Sequence, residues 1–220
     1  MTGINEGTGP STEAIRILRA AADAFAPYGA EEGSGGEEGG EYGRALGEAR
    51  RTLLIAGLPD ASLPVESFYR SFGEKGSGLP NVKGMYGSAS AQHLEYLYSL
   101  AGIERVPSAF SAMPDHLSLI CEFIALLIEA GELDAARQVA ADHLSWLREY
   151  EARLVSVRDR ASHGACAAQA PAAHEEDGAN GADRPRTDEE FSRELLKEGI
   201  DAMIGHLHAV SRALDLMQRL

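Results

Sequence analysis

Asp115 and His116, side by side behind Pro114, are the residues whose types most readily suggest chemistry, and His143 is the next imidazole along the chain that could join them. An acid and a base so placed are the ingredients of a hydrolytic acid–base site. Adjacent residues in one turn do not naturally orient each other, however, and no serine or cysteine sits in a recognisable nucleophile elbow or glycine-rich loop. Hydrolysis through Asp115 and His116 is therefore a remote alternative, and no catalytic residue is assigned. Other chemistries find less support. The run GEKGSG, Gly73 to Gly78, lacks the Lys-Ser/Thr ending and the preceding strand of a phosphate-cradling loop, and it reads as a flexible turn. His206 and His208, two residues apart, point to different faces of a helix, which argues against joint metal binding. Cys121 and Cys166 have neither the spacing nor the surroundings of a disulfide or zinc site, so reduced thiols are expected, with no metal or cofactor.

The element that must hold Asp115 and His116 is SAMPDHLSLICEFIALLIEAG, Ser111 to Gly131. Pro114 fits the first turn of a helix, where its missing N–H is not needed, and Asp115 would favour the positive end of the helix dipole. Leu117, Ile120, Cys121, Ile124, Leu127 and Ile128 recur at helical spacing, and Leu119, Phe123 and Leu126 add a second apolar face. Ser118, Glu122 and Glu129 leave only a narrow polar stripe, on which solvation or an ion pair explains Glu122. A helix apolar around most of its circumference belongs at the centre of a helical protein.

Around this centre the remaining segments read as helices too. Ser11 is placed to cap a helix carrying Ile15, Leu18, Ala22 and Phe25, ended by Pro27. A second helix is expected from about Arg44 to Ala56, closed by Gly57 and Pro59. A short helical piece carries Phe68, Tyr69 and Phe72 between two proline-marked turns, and a helical pattern from Val82 to Leu100, with a break near Gly87, aligns His93, Tyr96, Leu97 and Leu100. From Leu133 to about Arg160 a helix kinked near Asp142 turns Leu144, Leu147, Leu154 and Val157 inward. Thr187 and Glu190 form a capping-box signature, behind which Leu196, Ile200, Met203, Leu207, Val210, Leu214 and Met217 make one stripe. That stripe either closes the core or meets a partner chain. Period-two alternation of β-branched residues is absent, so the expected fold class is all-α, one multi-helix bundle built around a central apolar helix. A flexible N-terminus, 1–10, precedes a single helical domain, 11–220. Within it, the Gly/Glu-rich stretch 29–43 reads as a mobile acidic loop and 161–186 as a disordered linker or insert.

Composition narrows the function. The 220-residue chain carries 34 acidic against 20 basic residues, a net charge of -14, which argues against nucleic-acid binding and favours a basic peptide as partner. MTGINEGTGP has neither the basic start nor the apolar segment of a secretory signal. The longest apolar stretch is interrupted by Glu122 and is shorter than the roughly 18 residues of a membrane span. A cytoplasmic protein without stable membrane insertion is expected.

Taken in order, the motifs resemble those of the TorD/DmsD family of redox-enzyme maturation chaperones, all-helical proteins that bind twin-arginine signal peptides of molybdoenzymes. PVESFYRSF, Pro64 to Phe72, looks like the family's Pro-x-Glu-Ser-x-Tyr segment, and PDHLSLICEF, Pro114 to Phe123, looks like its Pro-Asp-His-Leu helix. His143, Leu144 and Trp146 in DHLSWLREY supply the third likeness, and together the three span the middle half of the chain. Met113 stands where the family has glutamate, and the acidic loop and the segment after Ala161 look like additions.

The resemblance implies a client with paired arginines followed by an apolar segment, namely the leader of a molybdopterin-containing reductase in its apo form. A groove for it needs carboxylates beside apolar surface. Asp115 and Glu66 would accept charge-assisted hydrogen bonds from arginine, with Tyr69, Phe72, Leu117 and Met113 against the apolar part and Pro114 and His116 also among the peptide-binding residues. Each residue also has a structural reading: Asp115 as a helix cap, His116 as the anchor of its turn, and Tyr69, Phe72 and Trp146 as core aromatics. If Asp115 and His116 contact the peptide, replacing either by alanine weakens binding with little loss of stability. An adaptor that grips a mature or cytoplasmic reductase subunit independently of a leader is the alternative, and the state is a monomer or a domain-swapped homodimer.

Overall fold

A computed structural model describes residues 9–27, 40–70, 87–167 and 187–220. Among these residues the chain forms eight α-helices and a 3-10 turn, Ser108–Phe110, with no strand, as the all-α reading expected. The helices are α1 (Pro10–Ala24), α2 (Gly40–Leu53), α3 (Glu66–Tyr69), α4 (Ala89–Leu100), α5 (Leu117–Glu129), α6 (Leu133–His143), α7 (Leu147–Ala167) and α8 (Asp188–Met217). The apolar helix α5 is central. It packs on α1 and α6 and buries Leu117, Ile120, Cys121, Ile124 and Ala125 completely. Its polar stripe meets α1, where Arg19 forks onto Glu129 through two 2.8 Å bonds and reaches Glu122 at 3.3 Å.

The terminal helix closes the bundle. Along α8, Ile200, Met203, Leu207, Val210 and Met217 are buried against α1, α2 and α7, so the apolar stripe is covered within the chain. Its start carries the capping box that Thr187 and Glu190 foreshadow. Where α2 crosses α8 the contact is backbone to backbone: a Cβ on Gly199 would lie 2.1 Å from the Ala45 carbonyl oxygen and 2.7 Å from Ala49 Cβ.

Several boundaries differ from the sequence expectation, each for a local reason. Gly9 precedes α1 and Pro10 takes its first turn, so Ser11 lies inside the helix and makes no cap bond. Helix α2 begins at Gly40, inside the stretch expected to be loop, because the Tyr42 hydroxyl finds His206 Nε2 at 2.8 Å and gives the first turn a tertiary anchor. The remainder of that stretch, 29–39, lies outside the described residues. Helix α7 runs to Ala167, seven residues into the expected linker, whose 168–186 also lie outside them. The helix expected from Leu133 to Arg160 is two helices. His143, Leu144, Trp146 and Leu147 are all buried, which one inward helix face cannot accommodate, and the break after His143 re-aims them. On α4 the inward face is Ala91, Leu94 and Tyr98, leaving Tyr96 and Leu100 59% and 66% exposed. Tyr98 wins the inward position because its hydroxyl donates to the Pro114 carbonyl at 2.9 Å.

Candidate functional site

Three stretches far apart in sequence meet around the single turn of α3. The first junction is made by the backbone: Leu117 N–H donates to Pro64 O at 2.8 Å and Glu66 N–H to Asp115 O at 3.1 Å, forming an isolated antiparallel bridge between Val65 and His116. Asp115 then caps a helix, but not the one that follows it. Its Oδ2 accepts the Ser67 N–H at 2.7 Å and the Ser67 hydroxyl, satisfying a first-turn donor of α3 that no residue within α3 can reach. Pro114 and Asp115 both precede α5, and the cap of α5 is His116, whose Nδ1 accepts the Ser118 N–H at 3.2 Å. That bond requires the proton on Nε2. Tyr98, through Pro114, and Phe110, edge-on to His116 at 5.0 Å, hold the turn from outside.

The second junction is made by Glu66. Its Oε2 lies 2.8 Å from His143 Nδ1, and its Oε1 accepts from Arg70 Nη1 at 2.5 Å. The same Nη1 donates to the Asp142 carbonyl at 2.7 Å. Because an ionised carboxylate only accepts, His143 carries its proton on Nδ1, and its Nε2 meets His93 Nδ1 at 3.0 Å. Trp146 Nε1–H donates to the His143 carbonyl at 2.6 Å, and the Trp146 ring stacks on Tyr69 with centroids 5.2 Å apart.

The sequence-predicted residues thus converge, but most do so out of solvent. Glu66, Asp115, His116 and His143 are 0%, 1%, 1% and 2% exposed, and Pro114 and Leu117 are buried beside them. Met113 and Tyr69 are half-buried, while Phe72 lies outside the described residues. Trp146 is core. Sequence reasoning missed Ser67, Arg70 and His93. Arg70 was findable, since it follows Glu66 by four residues and such pairs meet on a helix face. A cleft of about 420 Å³ opens on the other side of α3, lined by Ala56, Gly57, Leu63, Phe68, Tyr69 and Arg153, the last fixed by donating to Ser62 Oγ at 3.1 Å.

The geometry does not assemble the hydrolytic trio. The Asp115 carboxylate is turned to Ser67, His116 to Ser118 and Phe110, and the carboxylate beside His143 is Glu66. His206 and His208 diverge as expected, to Tyr42 and Glu151, and no group of metal-ligating residues occurs among the described residues.

Burial sets the titration of the turn. It pushes His116 down to about 3, and it raises the Asp115 carboxyl, an effect opposed by the hydrogen bonds from Ser67. The unfolded chain protonates His116 near the ordinary value of about 6.5, so its contribution is whole above that pH and is lost as pH falls toward 3. Asp115 acts oppositely, because the fold takes up its proton before the unfolded chain does. Below pH 6.5 the His116 effect lowers stability, with a slope that approaches about 1.4 kcal/mol per pH unit well below that pH. His116→Asn keeps a cap acceptor without titrating. Urea unfolding at pH 7, 6 and 5 is expected to show a shallower decline in the variant; parallel declines would contradict this account of His116.

Comparison with known proteins follows the same region. A family model described as nitrate reductase delta subunit matches residues 44–173, more than half of the 220-residue chain. No curated protein and no solved structure matches it. The matched span runs from α2 through α7 and contains every residue of the junction around α3, whereas α1 and α8 lie outside it and complete the core.

Proposed function

Because this chain belongs to the nitrate reductase delta subunit family, and is a redox-enzyme maturation chaperone of the TorD/DmsD type serving a molybdoenzyme, we propose that its client is the twin-arginine leader of that enzyme. It holds the leader in the cytoplasm, keeps the apo catalytic subunit from export, and leaves it receptive to cofactor insertion. The role needs no covalent chemistry.

The observation that carries this reading is the composition of α3. One helical turn, about 6 Å long, bears the Glu66 carboxylate at one side and Phe68 and Tyr69 lining the cleft at the other. Glu66 is itself buried and is reached from the solvent side past Arg70, and arginine followed by apolar residues is the pattern that this carboxylate and the aromatic cleft match. In this assignment Glu66 takes the arginine. Tyr69, Met113 and Phe72 meet the apolar segment, and Asp115, His116, Pro114 and Leu117 position α3 from beneath. The charge of -14 draws the basic leader in.

The matched family's description, which names a subunit of nitrate reductase, favours a second reading: an adaptor for a mature or cytoplasmic reductase subunit that ignores leaders. Co-purification separates the two. A tagged chain is expected to retain a client catalytic subunit with its leader at least tenfold better than the same subunit without it. Equal retention would overturn leader recognition in favour of the adaptor.

A further inference from the structure

Both oxygens of Glu66 are occupied, but by very different partners. His143, on Oε2, is buried; Arg70, on Oε1, has a side chain 43% exposed and is the partner on the solvent side. Arg70 caps the C-terminal end of α3, its N–H donating to Glu66 O at 3.0 Å, while its own backbone is extended, φ -93 and ψ 146. One of its nitrogens, Nη1, bridges a fully buried carboxylate and a backbone carbonyl at 2.5 and 2.7 Å. The place it fills therefore suits a cationic N–H donor: one carboxylate oxygen and one carbonyl converge on a single guanidinium nitrogen.

We propose that Arg70 is an internal stand-in for a client arginine, and that the Glu66 edge with the Asp142 carbonyl is a guanidinium subsite held in cis until a client arginine displaces it. This rests on the leader-binding reading of the same site and adds its regulation. Displacement exchanges one guanidinium for another, so Glu66 is never left buried without a cation, a state that would be strongly unfavourable. A tethered arginine competes at an effective concentration on the order of millimolar, which shuts out isolated basic residues. Only a peptide that also places apolar side chains in the cleft across α3 wins the exchange.

The test compares the full chain with Arg70→Gln by calorimetric titration with a synthetic twin-arginine leader peptide and its double-alanine counterpart. Emptying the subsite is expected to tighten the arginine peptide about tenfold, the factor that follows when the tethered arginine's effective concentration exceeds the subsite's guanidinium dissociation constant by about an order of magnitude, and to leave the double-alanine peptide unchanged. N-ethylguanidinium at millimolar concentration is expected to raise the thermal midpoint of Arg70→Gln more than that of the native chain, and to lose this effect in the Glu66→Gln, Arg70→Gln double variant. If Arg70→Gln does not fold, Arg70→Lys, which keeps the charge on a shorter side chain, is expected to tighten the arginine peptide in the same direction. Native binding with no tightening in the variants would overturn the stand-in while leaving leader recognition intact. Absence of peptide binding by every protein would remove leader recognition, and absence of guanidinium rescue would then remove the subsite as well.

Discussion

Asp115→Ala is expected to lower the unfolding free energy by about 2 to 3 kcal/mol, the cost of leaving the buried Ser67 N–H without its acceptor and of removing a carboxylate hydrogen bond from the Ser67 hydroxyl. The side chain is 1% exposed, and its Oδ2 receives both the Ser67 N–H and the Ser67 hydroxyl. Water cannot replace it without opening the junction between α3 and the turn before α5. The Ser67 hydroxyl retains Ser88 Oγ at 2.6 Å, which limits the loss; the N–H has no second partner among the described residues. Asp115→Asn keeps the shape and one acceptor, and since burial already disfavours the charged carboxyl, its cost is expected to be only about 1 kcal/mol. Urea denaturation at pH 7 distinguishes the pair. Losses below about 1 kcal/mol for alanine would mean that Asp115 does not hold α3 as described.

Gly199→Ala is expected to have the larger effect, about 3 to 5 kcal/mol or failure to fold, in the range of severe overpacking. The obstacle is backbone: the added Cβ would meet the Ala45 carbonyl at 2.1 Å and Ala45 C at 2.7 Å, and neither is the movable end of a side chain. Relief requires α2 to withdraw from α8 along the whole of their contact. Gly205, on the same helix, is the control, because nothing lies within 4 Å of a Cβ there. Gly205→Ala is expected to stabilise by about 0.5 to 1 kcal/mol through helix propensity alone. Thermal unfolding of the two variants should move in opposite directions; similar small shifts would show that the helices are not packed this closely.

Legibility in the sequence followed how local each signal was. The capping box at Thr187, the apolar circumference of α5 and the stripe of α8 are patterns within one helix, and each came out where periodicity placed it. On α4 several apolar and aromatic residues share the helix, so spacing left its orientation ambiguous until the Tyr98 bond to Pro114 fixed it. The site followed the same rule. Asp115, His116, Glu66, Tyr69 and His143 were legible as motif residues, but not which helix Asp115 caps, because its donor Ser67 is 48 residues away. The burial of the carboxylates was invisible for the same reason, as it depends on the bridge between Val65 and His116. The expectation that Asp115→Ala spares stability gives way to the loss argued above. Gly199 carried no signal, since its meaning lies entirely in what α2 presents to it.

The central claim is that this chaperone recognises the paired arginines of a leader beside an apolar segment, and calorimetric titration of the native chain tests it most directly. Saturable one-to-one binding of a leader peptide from the cognate molybdoenzyme is predicted, weakened at least tenfold when both arginines are replaced by alanine. Equal affinity for the two peptides, or saturation by neither, would contradict it.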